Sequence, residues 1–159
     1  MSADRVALSG RIRAELNDLA RVVERGTRLF DKAQKSSDQD WLDGVALNLH
    51  GFYAGVESIF EEIATELDGG VPAGADWHRQ LLVQMAVDLP SLRPAVITLS
   101  TRACLDEYRS FRHVVRNVYT FNLRPSRLQE LVEELPVCLT SLKHDLTAFC
   151  HFLELPDFN

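Results

Sequence analysis

The stretch over residues 41–74, WLDGVALNLHGFYAGVESIFEEIATELDGGVPAG, decides the fold class. Its apolar side chains recur every three or four positions as far as Leu67, which is the spacing of one face of an α-helix. In the DGGVP sequence that follows, two glycines favour the end of the helix and the proline prevents its resumption. The stretch therefore predicts one long helix over about residues 38–67 and then a sharp turn.

Three glycines, Gly44, Gly51 and Gly55, lie inside this predicted helix. Each lowers the stability of a helix by up to about 1 kcal/mol relative to alanine. We therefore expect another helix to approach closely at these positions.

Four further helices are predicted on either side of this one. Helix formers and apolar spacing predict them over about residues 4–34, 75–88, 94–120 and 127–155. Pro136 is expected either to kink the last helix or to split it. No segment alternates convincingly with a period of two, as a strand would. The expected fold is all-α, an antiparallel helical bundle of about five helices, in a single domain over residues 1–159.

Composition and charge limit the classes of protein. The chain has 159 residues, of which 46% are apolar and 25% charged, so it can bury a core without disulfides or a structural metal. A net charge of −6 argues against a protein that coats nucleic acid with its whole surface, but it permits a local basic patch.

The N-terminal 20 residues lack the apolar core of a signal peptide, and no run approaches the length of a membrane span. Three cysteines without a close pair are typical of reduced thiols. We therefore expect a cytoplasmic protein with no membrane association.

A basic segment stands out in this acidic chain, because residues 102–127 contain six arginines and only two acidic residues. On a helical wheel one face collects Arg102, Arg109, Arg112, His113 and Arg116, with Asn117 and Tyr119 at its edges. Arginine suits the planar recognition of phosphate, and histidine can transfer protons near neutral pH. The segment predicts a phosphate-contacting site that acts on RNA. The alternative is a solvated helix face that is salt-bridged to neighbouring acids.

Other polar residues have simpler interpretations. Trp77 and His78 are expected to dock the short third helix. The second helix carries four acidic residues, Glu57, Glu61, Glu62 and Glu66. They are expected to form a solvated face, although they could pair with the arginines of the fourth helix. No grouping of His, Cys, Asp or Glu has the spacing of metal ligands, so we expect no metal and no cofactor.

Two segments resemble a known family. The sequence FRHVVRNVYTF at residues 111–121 resembles the motif region of HEPN-domain proteins, in particular the HepT-like toxins of prokaryotic toxin–antitoxin systems. The sequence LHGFYAGVESIFEEIATELDGGVPAGADWHRQLLVQM at residues 49–85 is similar to the second and third helices of HepT-like proteins. Together the resemblance covers roughly residues 45–135.

This resemblance implies an all-α bundle that forms a homodimer. Many HEPN proteins are metal-independent ribonucleases whose motif is an arginine, four to six residues, and a histidine, with a tyrosine two positions later in HepT-like toxins. The motif copies of the two protomers face each other and form one RNA-cleaving cleft. The implied partner is a nucleotidyltransferase-type antitoxin, which in some systems transfers AMP to the motif tyrosine.

Residue by residue, Arg112 matches the motif arginine and Tyr119 the motif tyrosine, but the motif histidine falls on Asn117. An amide can form hydrogen bonds but cannot transfer protons at neutral pH. His113, which shares the helix face with Arg109 and Arg116, is the nearest alternative in sequence.

The leading hypothesis is therefore a HepT-like ribonuclease toxin with a dimeric active site. Its catalytic residues would be Arg112, His113 and Asn117, its RNA contacts Arg102, Arg109 and Arg116, and its site of AMP modification Tyr119. The alternative is a non-catalytic HEPN module that binds a nucleotidyltransferase partner, a nucleotide or RNA. A third hypothesis is a helical adaptor whose arginine face binds acidic residues of another protein.

Overall fold

Five α-helices make up the architecture in a computed structural model, which describes residues 2–117 and 122–156. For residues 116 and 117 it describes only the backbone. The helices are α1 (Ala3–Ser36), α2 (Asp40–Leu67), α3 (Trp77–Met85), α4 (Leu99–Asn117) and α5 (Pro125–Leu153). Within these described ranges no strand forms, apart from an isolated bridge between Leu89 and Arg93. The predicted fold class, an all-α helical bundle of five helices, is confirmed.

Helix α2 is the centre of the bundle, because it contacts each of the other four helices. Its fully buried side chains include Phe52, Tyr53 and Phe60, which belong to the hydrophobic core. Phe52 meets Tyr108 of α4 edge to face, with ring centroids 5.3 Å apart. This contact packs the middle of α4 against the middle of α2.

The glycines of α2 mark close helix contacts at two positions out of three. A Cβ atom at Gly55 would lie 2.7 Å from Cδ2 of Leu19 on α1, and one at Gly44 would lie 3.2 Å from Cδ1 of Leu29. At Gly51 nothing lies within 4 Å of such an atom, so the prediction was wrong there. The close approach of α1 to α2 therefore depends on Gly55 and Gly44.

Helix α4 begins at Leu99, five residues later than predicted. The backbone N–H groups of Val96 and Ile97 donate to the carbonyl of Met85 at 2.8 and 3.2 Å, which fastens the preceding segment to the end of α3. The Thr98 hydroxyl then accepts from the N–H of Thr101 and caps the new helix. The predicted end of this helix at residue 120 lies outside the described residues, of which Asn117 is the last in α4.

The connection between α3 and α4 is held by a buried ion pair. Nε and Nη2 of Arg93 donate to the two carboxylate oxygens of Asp68, both at 2.7 Å, and Nη1 donates to the carbonyls of Val87 and Pro94. The side chains of Arg93 and Asp68 are 0% and 1% exposed. This pair ties the segment between α3 and α4 to the end of α2 and sets where the two helices lie.

Helix α5 is one continuous helix, so Pro136 does not split it. Proline has no N–H, so the carbonyl of Val132 loses the donor that residue 136 would otherwise provide. The three cysteines are free thiols. Over the described part of the chain, no helix combines the length and the apolar character that crossing a bilayer requires.

Candidate functional site

Basic side chains of α4 and residues around the start of α3 enclose a pocket of about 420 Å³. Its wall is formed by Ala75, Asp76, His78, Arg79, Arg109, Arg112 and His113. Arg109, Arg112 and His113 face it from α4 because they lie one turn or less apart on that helix. The pocket thus combines three arginines and two imidazoles with one acidic side chain.

Arg112 is the least exposed of the three arginines on this wall, with 19% of its side chain exposed against 21% for Arg109 and 61% for Arg79. Its Nη1 lies 3.4 Å from Nδ1 of His78 and 4.0 Å from Oε1 of Glu57 on α2. Its Nε is buried and has no hydrogen-bond partner. Arg112 is therefore not part of a solvated helix surface, although the ion pair with a neighbouring acid that this alternative also predicted is present, at Glu57.

Glu57 and His78 are in close polar contact, with Oε2 and Nδ1 2.7 Å apart. Glu57 is only 4% exposed, and a buried carboxylate is tolerated when it is paired. The Trp77 ring stacks on the imidazole with centroids 3.8 Å apart and packs against the core. These contacts hold the imidazole between a carboxylate and an indole ring.

The negative charge of Glu57 affects the titration of its neighbours on α2. Burial, followed by the charge of Glu57, raises the pKa of Tyr53 far above its ordinary value. The same two causes raise the pKa of Glu61. Tyr53 therefore stays protonated at all physiological pH values, and it contributes no second negative charge beneath the pocket.

The family model described as HepT-like protein matches residues 44–153, which is more than half of the chain. The chain belongs to the HepT-like family. Neither the curated proteins nor the solved structures contain a match. The matched range begins within α2 and ends with α5, so it includes every residue of the pocket in this HepT-like protein.

The pocket brings together three of the residues predicted from the basic segment. Arg109, Arg112 and His113 line it, and Nε of Arg109 also donates to Oδ1 of Asp106 at 2.7 Å. Arg102 lies two turns earlier on α4 and is not among the lining residues.

Two further predicted residues, Arg116 and Asn117, are the last two residues of α4. The backbone of Arg116 and Asn117 belongs to that helix, but their side chains are outside the described atoms. Tyr119 is outside the described residues altogether.

Two residues of the site, Glu57 and His78, were not predicted as functional. For Glu57 the prediction of a solvated face is wrong, since the residue is buried, whereas the alternative, pairing with an arginine of the fourth helix, is confirmed by its contact with Arg112. Glu57 also pairs with His78 of α3. Its position offered a signal: it follows Tyr53 by four residues and precedes Phe60 by three, so it lies on their buried face. The docking role predicted for the Trp77 and His78 pair is confirmed for Trp77, whereas His78 reaches the pocket.

The chemistry available to this HepT-like pocket is that of anion binding and proton transfer. Arginines bind phosphate oxygens, and an imidazole that is held by a carboxylate can accept or donate a proton at its free nitrogen. Among the described side chains, no group of three or more His, Cys, Asp or Glu is arranged to hold a metal ion.

Proposed function

We propose that this HepT-like protein is the ribonuclease toxin of a prokaryotic toxin–antitoxin pair. It acts in the cytoplasm as a homodimer, it cleaves RNA without a metal ion, and a nucleotidyltransferase-type antitoxin neutralises it. The observation that carries the proposal is the position of Arg112. This residue matches the motif arginine and projects into a pocket together with Arg109, His78 and His113.

The electrostatics of the pocket support binding of a phosphodiester. Cleavage of RNA by its own 2′-hydroxyl builds negative charge on the phosphorus oxygens, and fixed cations stabilise that charge. Arg112 is largely withdrawn from water, so its attraction to an anion is screened less than that of a surface arginine. Arg109 supplies a second cation on the same helix, one turn away.

A non-catalytic HEPN module is the second candidate function, and one observation favours it. The motif histidine is replaced by Asn117, whose amide cannot transfer a proton. In this case the same pocket binds RNA, a nucleotide or the nucleotidyltransferase partner without cleavage.

The test uses the purified full chain and a labelled single-stranded RNA in the presence of EDTA. We expect the wild type to cleave and Arg112→Ala to lose at least about 100-fold in kcat/KM, which is the typical cost of removing one transition-state donor. Arg21→Ala, at an exposed position of α1, is the matched control and keeps full activity. Expression in cells should arrest growth for the wild type and not for Arg112→Ala.

Three outcomes separate the candidate functions. Full cleavage by a folded Arg112→Ala variant rejects the proposed site. Tight RNA or partner binding without cleavage by the wild type replaces the ribonuclease with the non-catalytic module. An unmodified Tyr119 in a co-expressed pair, measured by mass spectrometry, removes AMP transfer as the means of neutralisation.

A further inference from the structure

A metal-independent ribonuclease needs a group that takes the proton of the attacking 2′-hydroxyl, and Asn117 cannot do so. We infer that His78, held by Glu57, is that proton acceptor, an inference that rests on the ribonuclease function proposed above. His78 comes from α3, outside the motif segment of α4, and it lies on the same pocket wall as Arg112.

The contact with Glu57 determines which nitrogen of His78 carries the proton. An ionised carboxylate only accepts hydrogen bonds, so the 2.7 Å contact requires a proton on Nδ1. In the neutral imidazole the lone pair then lies on Nε2, at the edge of the ring away from Glu57. His78 lines the pocket and is 26% exposed, so substrate has access to the ring while the carboxylate beneath it is buried.

The position of Arg112 places a bound phosphate beside this imidazole. Its Nη1 is 3.4 Å from Nδ1 of His78, and both side chains line the pocket. Because Nδ1 carries the proton that Glu57 accepts, this approach is a contact between two donors and not a hydrogen bond. A phosphodiester that is bound by the guanidinium brings its 2′-hydroxyl, the nearest nucleophile to the phosphorus, to the same wall. Burial of Glu57 under both groups holds them in one arrangement.

The proton transfer balances without an added co-reactant. Nε2 of His78 takes the proton of the 2′-hydroxyl as the bond from O2′ to phosphorus forms. The bond from phosphorus to O5′ breaks, and the 5′ oxygen takes a proton from water. The resulting hydroxide is neutralised by the proton on His78, which returns to its neutral form. The products are a 2′,3′-cyclic phosphate and a 5′-hydroxyl.

Several charged and titratable groups surround His78. From α2 it faces Glu57, with Glu61 close enough to interact electrostatically. From α4 it faces Arg109, Arg112 and His113, and on its own segment its neighbours are Asp76 and Arg79. His78 is held at Nδ1 by a buried carboxylate and is 26% exposed, whereas the side chain of His113 is classed as exposed.

The experiment compares His78→Gln with His113→Gln on a single-site RNA in EDTA, with thermal unfolding as a check on the fold. We expect His78→Gln to lower kcat at least about 100-fold, which is typical for loss of a general base, and His113→Gln to lower it less than about tenfold. Binding of the same RNA carrying a 2′-O-methyl group, which cannot be cleaved, should change less than about threefold in either variant, because Arg112 remains.

Two further measurements distinguish proton transfer from a structural role. In the wild type, kcat should fall at acidic pH as an imidazole becomes protonated, and the residual activity of His78→Gln should lack this decline. Free imidazole should restore part of the activity of His78→Ala, in proportion to the concentration of its neutral form, and should not affect Arg112→Ala.

The failure of this inference differs from the failure of the proposed function. A wild type that does not cleave RNA overturns both. A wild type that cleaves, with His78→Gln equally active or with the acidic decline of kcat retained in that variant, overturns the role of His78 and leaves the ribonuclease function standing.

Discussion

Glu57 on α2 and His78 on α3 lie 21 positions apart in the chain, yet Oε2 of one is 2.7 Å from Nδ1 of the other. The turn between α2 and α3 brings them together, and Arg112 of α4 approaches the same carboxylate at 4.0 Å. One buried acid thus connects three helices at the wall of the pocket. Its replacement should affect activity through the orientation of the groups that it holds.

Glu57→Gln tests this positioning role. The amide has the same shape and can still accept a hydrogen bond, but it lacks the charge that favours a single imidazole tautomer. We expect kcat to fall by about 10- to 100-fold, less than in His78→Gln, with little change in KM for RNA. Glu61→Gln, on the same helix and partly exposed, is the matched control. Equal kcat in the two variants would contradict the role of Glu57.

Asp145→Asn should remove a pH-dependent part of the stability. Burial disfavours the charge of Asp145, but hydrogen bonds from the hydroxyl of Thr101 and from the backbone and hydroxyl of Thr98 outweigh it and lower the pKa of the carboxyl group. A lowered folded-state pKa stabilises the protein above the unfolded value, near 3.9, and this contribution is lost as the pH falls through the folded-state value.

Urea unfolding measures this effect. At pH 7, Asp145→Asn should lower the free energy of unfolding by about 1.5–3 kcal/mol, the scale of hydrogen bonds to a charged group. The difference from wild type should shrink as the pH falls below about 4, where the wild-type carboxyl also becomes neutral. Asp31→Asn, at an exposed position of α1, serves as the control. A difference that stays constant down to pH 2 would refute the explanation.

Gly51→Ala and Gly55→Ala form a matched pair on α2. Gly51→Ala should raise the free energy of unfolding by about 0.5–1 kcal/mol, because nothing lies within 4 Å of the added methyl group and alanine favours the helix. Gly55→Ala should instead lower it by about 1 kcal/mol or more, since the methyl would meet the buried Leu19 side chain at 2.7 Å. Chemical unfolding of both variants checks this, and a shift of the same sign in both would disprove the close contact.

Replacing one member of the buried pair of Arg93 and Asp68 should lower the free energy of unfolding strongly, whereas replacing both members together should lower it much less. Arg93→Met leaves Asp68 as an uncompensated buried charge, and we expect a loss of about 3–5 kcal/mol in the free energy of unfolding. The double variant Arg93→Met/Asp68→Leu removes both charges and should recover most of this loss. Additive effects in the double-mutant cycle would show that the two side chains do not stabilise one another.

The helices follow from local patterns in the chain, whereas one helix boundary depends on distant residues. The spacing of apolar residues and the DGGVP turn were enough to predict α2 and its end at Leu67. The start of α4 was placed too early because its true start depends on the carbonyl of Met85 and the carboxylate of Asp145. The local spacing of apolar residues carries no information about hydrogen-bond partners that are distant in sequence.

Helical spacing alone was enough to place Arg109, Arg112 and His113 on one face of a basic helix. Which of these side chains is withdrawn from water, and that Glu57 and His78 join them, depended on how α2, α3 and α4 pack. The physical reason is that periodicity describes one helix at a time. The burial of a charge, and the groups that compensate it, arise only where several helices meet.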